Sequence, residues 1–439
     1  MNTENSALDE FIRGAIRLRG PVSFAWFMQQ ALYHPEHGYY SSGRASIGRR
    51  GDYFTSVSAG PLFGRLLAAQ FAQMWERLGR IDNFVIVEQG AHHGDFARDM
   101  LGSARKLWPE FFAALQYRIV EPSSILQNRQ SQTLAEYEGK IEWRDSIDAL
   151  EPFTGVHFSN ELLDAMPVHL ICSRGPVARA TAGSQWNEKF VGWRNDQFAF
   201  VEQPIVDPAL QAFITKLPSR PAGYETEVNL AALNWIANLA TKLERGYVLA
   251  VDYGFRGDEF FAPYRTNGTL QCRAQHRLFA SPFHEIGHAD ITAHVDWTSL
   301  AERAQQRGLS ITGFTDQHHF ITGIISELLC DQLSGNADAK TKRALQTLLH
   351  PEMLGRAFQV LVLAKGVTAS TAADSSFKQK NTLATKRPVE GAHRGEPIQR
   401  ISSPSDVKRV DPLLATAAGV TAPLAGFKFA RDARAMLGV

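Results

Sequence analysis

Five short apolar runs constrain this chain more than any other feature: FVIVEQG (84–90), YRIVEP (117–122), GVHFSNE (155–161), GYVLAVDYG (246–254) and FQVLVLAKG (358–366). Each is apolar on both flanks, as a strand covered on both faces requires. Helical patterns such as Asp95–Lys106 and Val228–Leu243 lie between them. Strand and helix in alternation predict an α/β fold built on a doubly wound, mostly parallel sheet. The region 168–204 breaks the alternation. There VHLICSR and the pair KFVGWR/QFAFVE, split by Asn195–Asp196, read as antiparallel strands with a hairpin. Residues 165–245 are therefore expected to form an insertion beside the sheet.

The first 80 residues read as helical and precede the sheet. Ser23 is placed to cap a helix whose Phe24, Phe27, Met28, Ala31 and Leu32 share one face. Pro35 and Gly38 in YHPEHGYY (33–40) end it, and a second helix is predicted from about Pro61 to Leu78. At the other end, residues 378–439 carry 11 Lys+Arg against 5 Asp+Glu. A basic tail over 369–439 is expected, largely disordered, with a short docking helix within Leu413–Val439. The sheet domain then spans 81–368. The formal net charge of the whole chain is +1, which gives no polycation for nucleic acid. No run of 18 apolar residues is present, so no membrane insertion is expected. The polar, acidic start MNTENSALDEF lacks the pattern of a signal or transit peptide, and the three cysteines are scattered, so the expected location is cytoplasmic.

Chemistry concentrates where predicted strands end. The first run ends Glu88-Gln89-Gly90-Ala91-His92-His93-Gly94-Asp95 and a helix follows, the arrangement that sets a nucleotide-like ligand on a helix N-terminus. The second ends in Glu121, placed to accept hydrogen bonds from ribose hydroxyls, with one long helix from Asp95 to Leu115 expected between the two acids. The third ends Asn160-Glu161-Leu162-Leu163-Asp164. If a helix starts there, Glu161 and Asp164 share one face; a plain N-cap with first-turn acids is the alternative. Asp52, Thr55 and Ser56 crowd charge and hydroxyls into a loop upstream. His284-Glu285-Ile286-Gly287-His288 fits the H-E-x-x-H of zinc peptidases. Gly287 weakens the helix that motif needs, and Ile291 stands where a turning glycine would have to be, so no metal site is expected.

Taken together, YHPEHGYY (33–40), GDYFTSVSAGPLFGRLLA (51–68), VEQGAHHGDFARDML (87–101), YRIVEPSSILQNRQ (117–130), SNELLDAMPVH (159–169), RGYVLAVDYGF (245–255), GTLQCRAQHR (268–277) and ADITAHVDW (289–297) resemble the MidA-like S-adenosylmethionine-dependent methyltransferases. That family includes relatives of a mitochondrial complex I assembly factor that methylates a protein arginine. The resemblance implies a Rossmann-like class I methyltransferase sheet with an antiparallel strand, FQVLVLAKG, near its C-terminal edge, under a helical N-terminal lid. It implies S-adenosyl-L-methionine as cofactor, with Gly90 and Gly94 approaching it beside Glu88, Glu121 taking the ribose, and Asp52, Thr55 and Ser56 closing over it. Asn160, Glu161 and Asp164 would face the transferred methyl, and Glu161 with Asp164 would clamp a guanidinium, with Glu227 and Asp252 in reserve. The implied partner is a protein substrate, a respiratory complex I subunit first among candidates; a homodimer stays open. One departure stands out: His92 replaces the middle glycine of the family's E-x-G-x-G-x-G. A non-catalytic assembly or binding factor that keeps the fold is the alternative reading, and a zinc peptidase the remote one.

Overall fold

A computed structural model describes residues 5–43, 55–175, 185–274, 277–330, 338–367, 423–430 and 432–439. Its main sheet contains all five apolar runs. In chain order its long strands are β1 (Phe84–Gln89), β2 (Leu115–Val120), β3 (Ile141–Arg144), β4 (Phe153–Asn160), β5 (Leu243–Phe255), β6 (Ser310–Asp316) and β7 (Phe358–Lys365). They lie in the order β6-β7-β5-β4-β1-β2-β3, with the two-residue strand Val295–Asp296 beside the end of β5. β3, β2, β1, β4 and β5 are parallel neighbours, whereas β7 runs antiparallel to both β5 and β6. The chain starts in the middle of the sheet at β1, builds outward through β2 and β3, then returns to β4 on the other side. The gap between the carboxyl ends of β1 and β4 is thus the topological switch point, where such sheets hold ligands.

Both faces of the sheet are covered, which is why its strands are apolar on both flanks. One face packs Ile86, Val156, Phe158 and Leu249 against helices Leu62–Arg77, Asp95–Leu107 and Gln317–Leu328. The other packs Val85, Val87, Val248 and Ala250 against helices Leu230–Lys242 and Trp297–Gln306. The helix expected from Asp95 to Leu115 is instead two, Asp95–Leu107 and Pro109–Ala114. Trp108 between them is out of helical geometry (φ −135°, ψ 67°), as a residue before proline tends to be.

A second sheet is formed by the insertion. The hairpin Trp186–Arg194/Gln197–Pro204 turns at Asn195 and Asp196, both with positive φ, and pairs on to His169–Ser173 and Glu225–Val228. Its far neighbour is Val22–Ser23, from the N-terminal segment. The helix Phe24–Tyr33, capped by Ser23 as anticipated, buries Phe24, Phe27, Met28, Ala31 and Leu32 in a core shared with Val168, Leu170 and Val191 of the insertion. The N-terminal helices and the insertion therefore share one core. A small sheet of Gln271–Ala274, Arg277–Phe279 and Asp290–Thr292, which the sequence reading did not anticipate, joins that core through Cys272 and Ile291. No helix among the described residues is long and apolar enough to cross a membrane.

Candidate functional site

A cavity of about 980 Å³ opens at the switch point. Its wall includes Glu88, Gly90 and His92 after β1, Glu121 after β2, Asn160 and Glu161 after β4, and Tyr33, Tyr40 and Thr55 from the N-terminal segment. Most of the residues singled out from sequence are thus in one place. Asp52 lies outside the described residues.

The β1 turn carries three left-handed residues: Gly90 (φ 82°), His92 (φ 47°) and Gly94 (φ 83°). Glycine adopts this region freely, whereas histidine does so only at a cost. The His92 ring stacks on His93, with ring centroids 3.7 Å apart. Glu88 is buried and accepts a 2.7 Å hydrogen bond from the Tyr117 hydroxyl. Burial raises its carboxyl to about 7 despite that bond. Glu121 is also buried; its oxygens accept from the Ser123 N–H (2.9 Å) and the Gln130 amide (3.2 Å). Burial outweighs both donors and lifts it to about 6.

Beyond β4 no helix begins, contrary to the expectation that Glu161 and Asp164 would lie on one helical face. Glu161 itself is left-handed (φ 54°). The N–H groups of Leu162, Leu163 and Asp164, which a helix would have left for a cap, all point at Asp252 Oδ2 on neighbouring β5 (3.1, 2.8 and 3.3 Å). This nest turns Glu161 onto the cavity wall and sends Asp164 behind it, where Asp164 is 2% exposed. The Asn160 amide donates to Glu161 Oε1 at 2.9 Å. Removal from solvent, then the negative charge of Asp164, hold the Glu161 carboxyl well above the usual range, against the Asn160 amide and the Ser56 backbone N–H. Burial also raises Asp164, against the Tyr253 hydroxyl, and Asp252, where the charges of Asp164 and Glu161 add to it. Ser56 contributes through its backbone, because its hydroxyl is turned inward onto Gln317 (2.8 Å). Thr55 pairs with Ser58 on the cavity wall.

Glu227, one of the reserves, is elsewhere. It accepts from the backbone N–H groups of Thr269 (2.8 Å) and Leu270 (2.9 Å) and holds that loop. Asp252 is present in the cluster as the anchor of the β4 turn. The sequence reading missed Tyr33 and Tyr40, which stack at 5.6 Å on the cavity wall, and Asp290, which accepts from the Tyr40 hydroxyl at 2.7 Å. The signal of the two tyrosines was present in YHPEHGYY, read there as a helix stop, and Asp290 stood in ADITAHVDW. The segment His284–His288 folds as successive turns with Glu285 (φ 54°) and Gly287 (φ 77°) left-handed, so its histidines are not presented on one helical face. His294 stacks flat on Phe255 instead, at 4.9 Å.

The cavity fits a nucleoside with an amino-acid arm: it has the volume, a turn of left-handed residues at its floor, and a buried acid with acceptor capacity left at the end of β2. Comparisons with known proteins agree. Residues 66–315 match the family described as "Putative S-adenosyl-L-methionine-dependent methyltransferase". A Burkholderia thailandensis protein solved bound to S-adenosyl-homocysteine is 30% identical, superposes with a TM-score of 0.73, and covers 85% of this chain and 95% of its own. The mitochondrial protein arginine methyltransferase NDUFAF7 homolog of Drosophila melanogaster is 27% identical over 83% of this chain and 86% of its own length. Its Homo sapiens counterpart is 27% identical over 79% and 81%. The chain thus belongs to this family and is an S-adenosyl-L-methionine-dependent methyltransferase with a Rossmann-like α/β fold.

Proposed function

We propose that the protein transfers a methyl group to an arginine side chain of another protein. The observation that carries this reading is the carboxyl cluster that starts at Glu161 on the cavity wall and continues behind it. Glu161, Asp164 and Asp252 crowd together, and among the described residues no Lys or Arg forms an ion pair with any of them. Carboxyls so placed resist ionising together and favour a cationic ligand. A guanidinium suits them: it is planar, cationic and rich in donors, and it stacks on aromatic faces such as those of Tyr33 and Tyr40. The names of the Drosophila and human relatives support the same substrate class.

The chain's residues would divide the work as follows. Glu121 accepts the ribose hydroxyls, and Gly90 and Gly94 let the backbone approach the ligand, with Glu88 and Thr55 on the wall. Bound S-adenosylmethionine supplies an electrophilic methyl on a sulfonium. Glu161, steadied by Asn160 and the Ser56 N–H, accepts guanidinium N–H bonds and aims one nitrogen. Positioning dominates in such a displacement. The raised affinity of Glu161 for a proton suits it to take the one that the nitrogen releases. Asp164 acts through Glu161 and Tyr253 and does not touch the substrate, a revision of the two-carboxylate clamp. A respiratory complex I subunit is the first substrate to try, and the cytoplasm the first location.

The test compares the methylated proteome of cells with and without the gene, with a Glu161→Gln strain beside them. Arginine methylation should disappear in both altered strains. Purified Glu161→Gln should hold S-adenosyl-homocysteine within about tenfold of wild type, or ~1.4 kcal/mol. Loss of lysine, glutamine or small-molecule methylation instead would sink the arginine assignment and leave the family intact.

A further inference from the structure

We infer that Gln130 is a positioning residue for the cofactor: one amide fixes both the ribose-facing acid and the left-handed turn beside it. The inference rests on the reading of Glu121 as the acid that takes the ribose hydroxyls.

Gln130 lies on the helix Ser124–Thr133, is fully buried, and is not part of the cavity wall. The Trp143 indole N–H donates to its Oε1 at 2.9 Å. An indole nitrogen only donates, so this contact decides which end of the amide is oxygen. The NH2 group must then face the other way, and two acceptors meet it. One is the backbone carbonyl of His92, 2.9 Å away; the other is Glu121 Oε2, at 3.2 Å. The second Glu121 oxygen is held by the Ser123 N–H. Donors from two directions therefore fix the plane of the carboxylate, and each oxygen keeps a further lone pair for a ligand hydroxyl.

The same amide holds the carbonyl of His92, whose φ of 47° a β-carbon disfavours. A histidine in that conformation needs its surroundings to hold it, and Gln130 is the side chain bonded to its carbonyl. The helix supports the turn elsewhere too. Arg129 Nη1 donates to the Gly43 carbonyl at 2.7 Å and lies 3.3 Å from His93 Nε2. The chemistry also favours an amide over its neighbours in size. Leucine or methionine would leave the half-buried His92 carbonyl and Trp143 indole without these bonds. Glutamate would set a second carboxylate against Glu121. Lysine would neutralise Glu121 and compete with the hydroxyls it is there to receive.

The experiment is titration calorimetry of the full chain with S-adenosyl-homocysteine, using wild type, Gln130→Met, Glu121→Gln and the double variant, with thermal unfolding of each in parallel. Gln130→Met keeps the length and removes every donor. It should weaken binding about tenfold, the scale of losing one hydrogen bond to a charged group. In the Glu121→Gln background the same change should cost less than about threefold, because only the hold on the His92 turn is then left to lose. A merely structural role would lower the unfolding midpoint and give the same loss in both backgrounds, which would overturn the inference. Unchanged affinity for Gln130→Met beside a weakened Glu121→Gln would overturn it too, leaving the ribose reading intact. Unchanged affinity for Glu121→Gln would remove the ribose reading and the inference with it. If Gln130→Met does not fold, Trp143→Phe releases only the oxygen end of the amide. A smaller loss of the same sign is then expected, and no loss overturns the inference.

Discussion

Glu121 and His92 are both held by the Gln130 amide, and each carries a prediction for the proposed cofactor site. Glu121→Ala should weaken S-adenosylmethionine binding by ~1.5–3 kcal/mol in titration calorimetry, the scale of losing charge-assisted hydrogen bonds. The carboxyl of Glu121 is raised to about 6, and ribose hydroxyls need its ionised form as acceptor. Affinity should therefore be flat above neutrality and fall as pH drops through about 6; a flat profile from pH 5 to 8 would contradict the assignment. At His92, glycine would relieve a left-handed backbone but loosen the unfolded chain, two effects of about 1 kcal/mol that oppose each other. His92→Gly should leave urea stability nearly unchanged and cofactor affinity equal or better. A clear drop in affinity would show that the ring, here stacked on His93, contributes a ligand contact.

At the scale of elements, β4 and β5 show one close backbone approach near their amino ends and one carboxylate anchor at their carboxyl ends. Gly155 (φ 153°) and Gly246 (φ 139°) stand side by side across β4 and β5. A Cβ on Gly155 would overlap the Val85 carbonyl oxygen, and one on Gly246 the Gly155 carbonyl oxygen. Gly155→Ala should cost more than about 4 kcal/mol in urea unfolding, in the range of severe backbone strain. At the carboxyl ends, Asp252 gathers three successive N–H groups of the β4 turn and the Tyr253 N–H as well (2.9 Å). Asp252→Ala would leave those donors buried and unpaired. A loss of about 2–4 kcal/mol is expected, with Glu161 displaced and methyl transfer lost. A variant with wild-type stability would mean that the turn holds itself.

At the scale of the molecule, the chain's end closes the sheet's β6 edge from both faces. Leu424, Ala425 and Phe427 pack beside Phe320, with the Ala425 and Gly426 N–H groups bonded to Gln73 and Gln70 at 2.9 Å. Leu437 packs on the opposite face, and the Thr298 hydroxyl donates to its carbonyl at 2.8 Å. Phe427→Ala should cost about 3–5 kcal/mol in urea unfolding, the usual figure for a buried phenylalanine. Buried titratable groups also shape stability against pH. Glu88 (about 7) and Asp296 (about 6) are raised, so their contribution is present below the ordinary carboxyl range and lost as pH rises through 6 to 7. His157 (about 3) and His294 (about 4) are lowered, so theirs is present above 6.5 and lost as pH falls toward those values. Glu161 and Asp252, held well above the usual range, lose stability over the same rise in pH, so free of ligand the protein should have a lower urea midpoint at pH 8 than at pH 6. His157→Phe should flatten the acid side of the profile; an unchanged acid limb would exclude His157 as its source.

Local pattern was enough for the five apolar strands, the Ser23 cap and the Asn195–Asp196 turn, whereas the antiparallel direction of β7 came only from the family resemblance. The strands, cap and turn are each decided by neighbours in sequence: period, capping oxygen, turn residue, or burial on both faces. The residues around the cavity were legible for the same reason, since Gly90, Glu121 and Glu161 stand where strands stop. Tertiary structure alone decided their roles in space. Asn160-Glu161-Leu162-Leu163-Asp164 carries the local marks of a helix start, but the carboxylate that takes its N–H groups comes from β5, about 90 residues away in the chain. Ser56 reads as a hydroxyl ligand, but Gln317 across the fold turns its side chain inward. Val22–Ser23 is too short to announce itself as a strand, and becomes one only because the insertion offers an open edge. Such choices depend on which partner arrives with a free donor or acceptor, and local pattern holds no record of that.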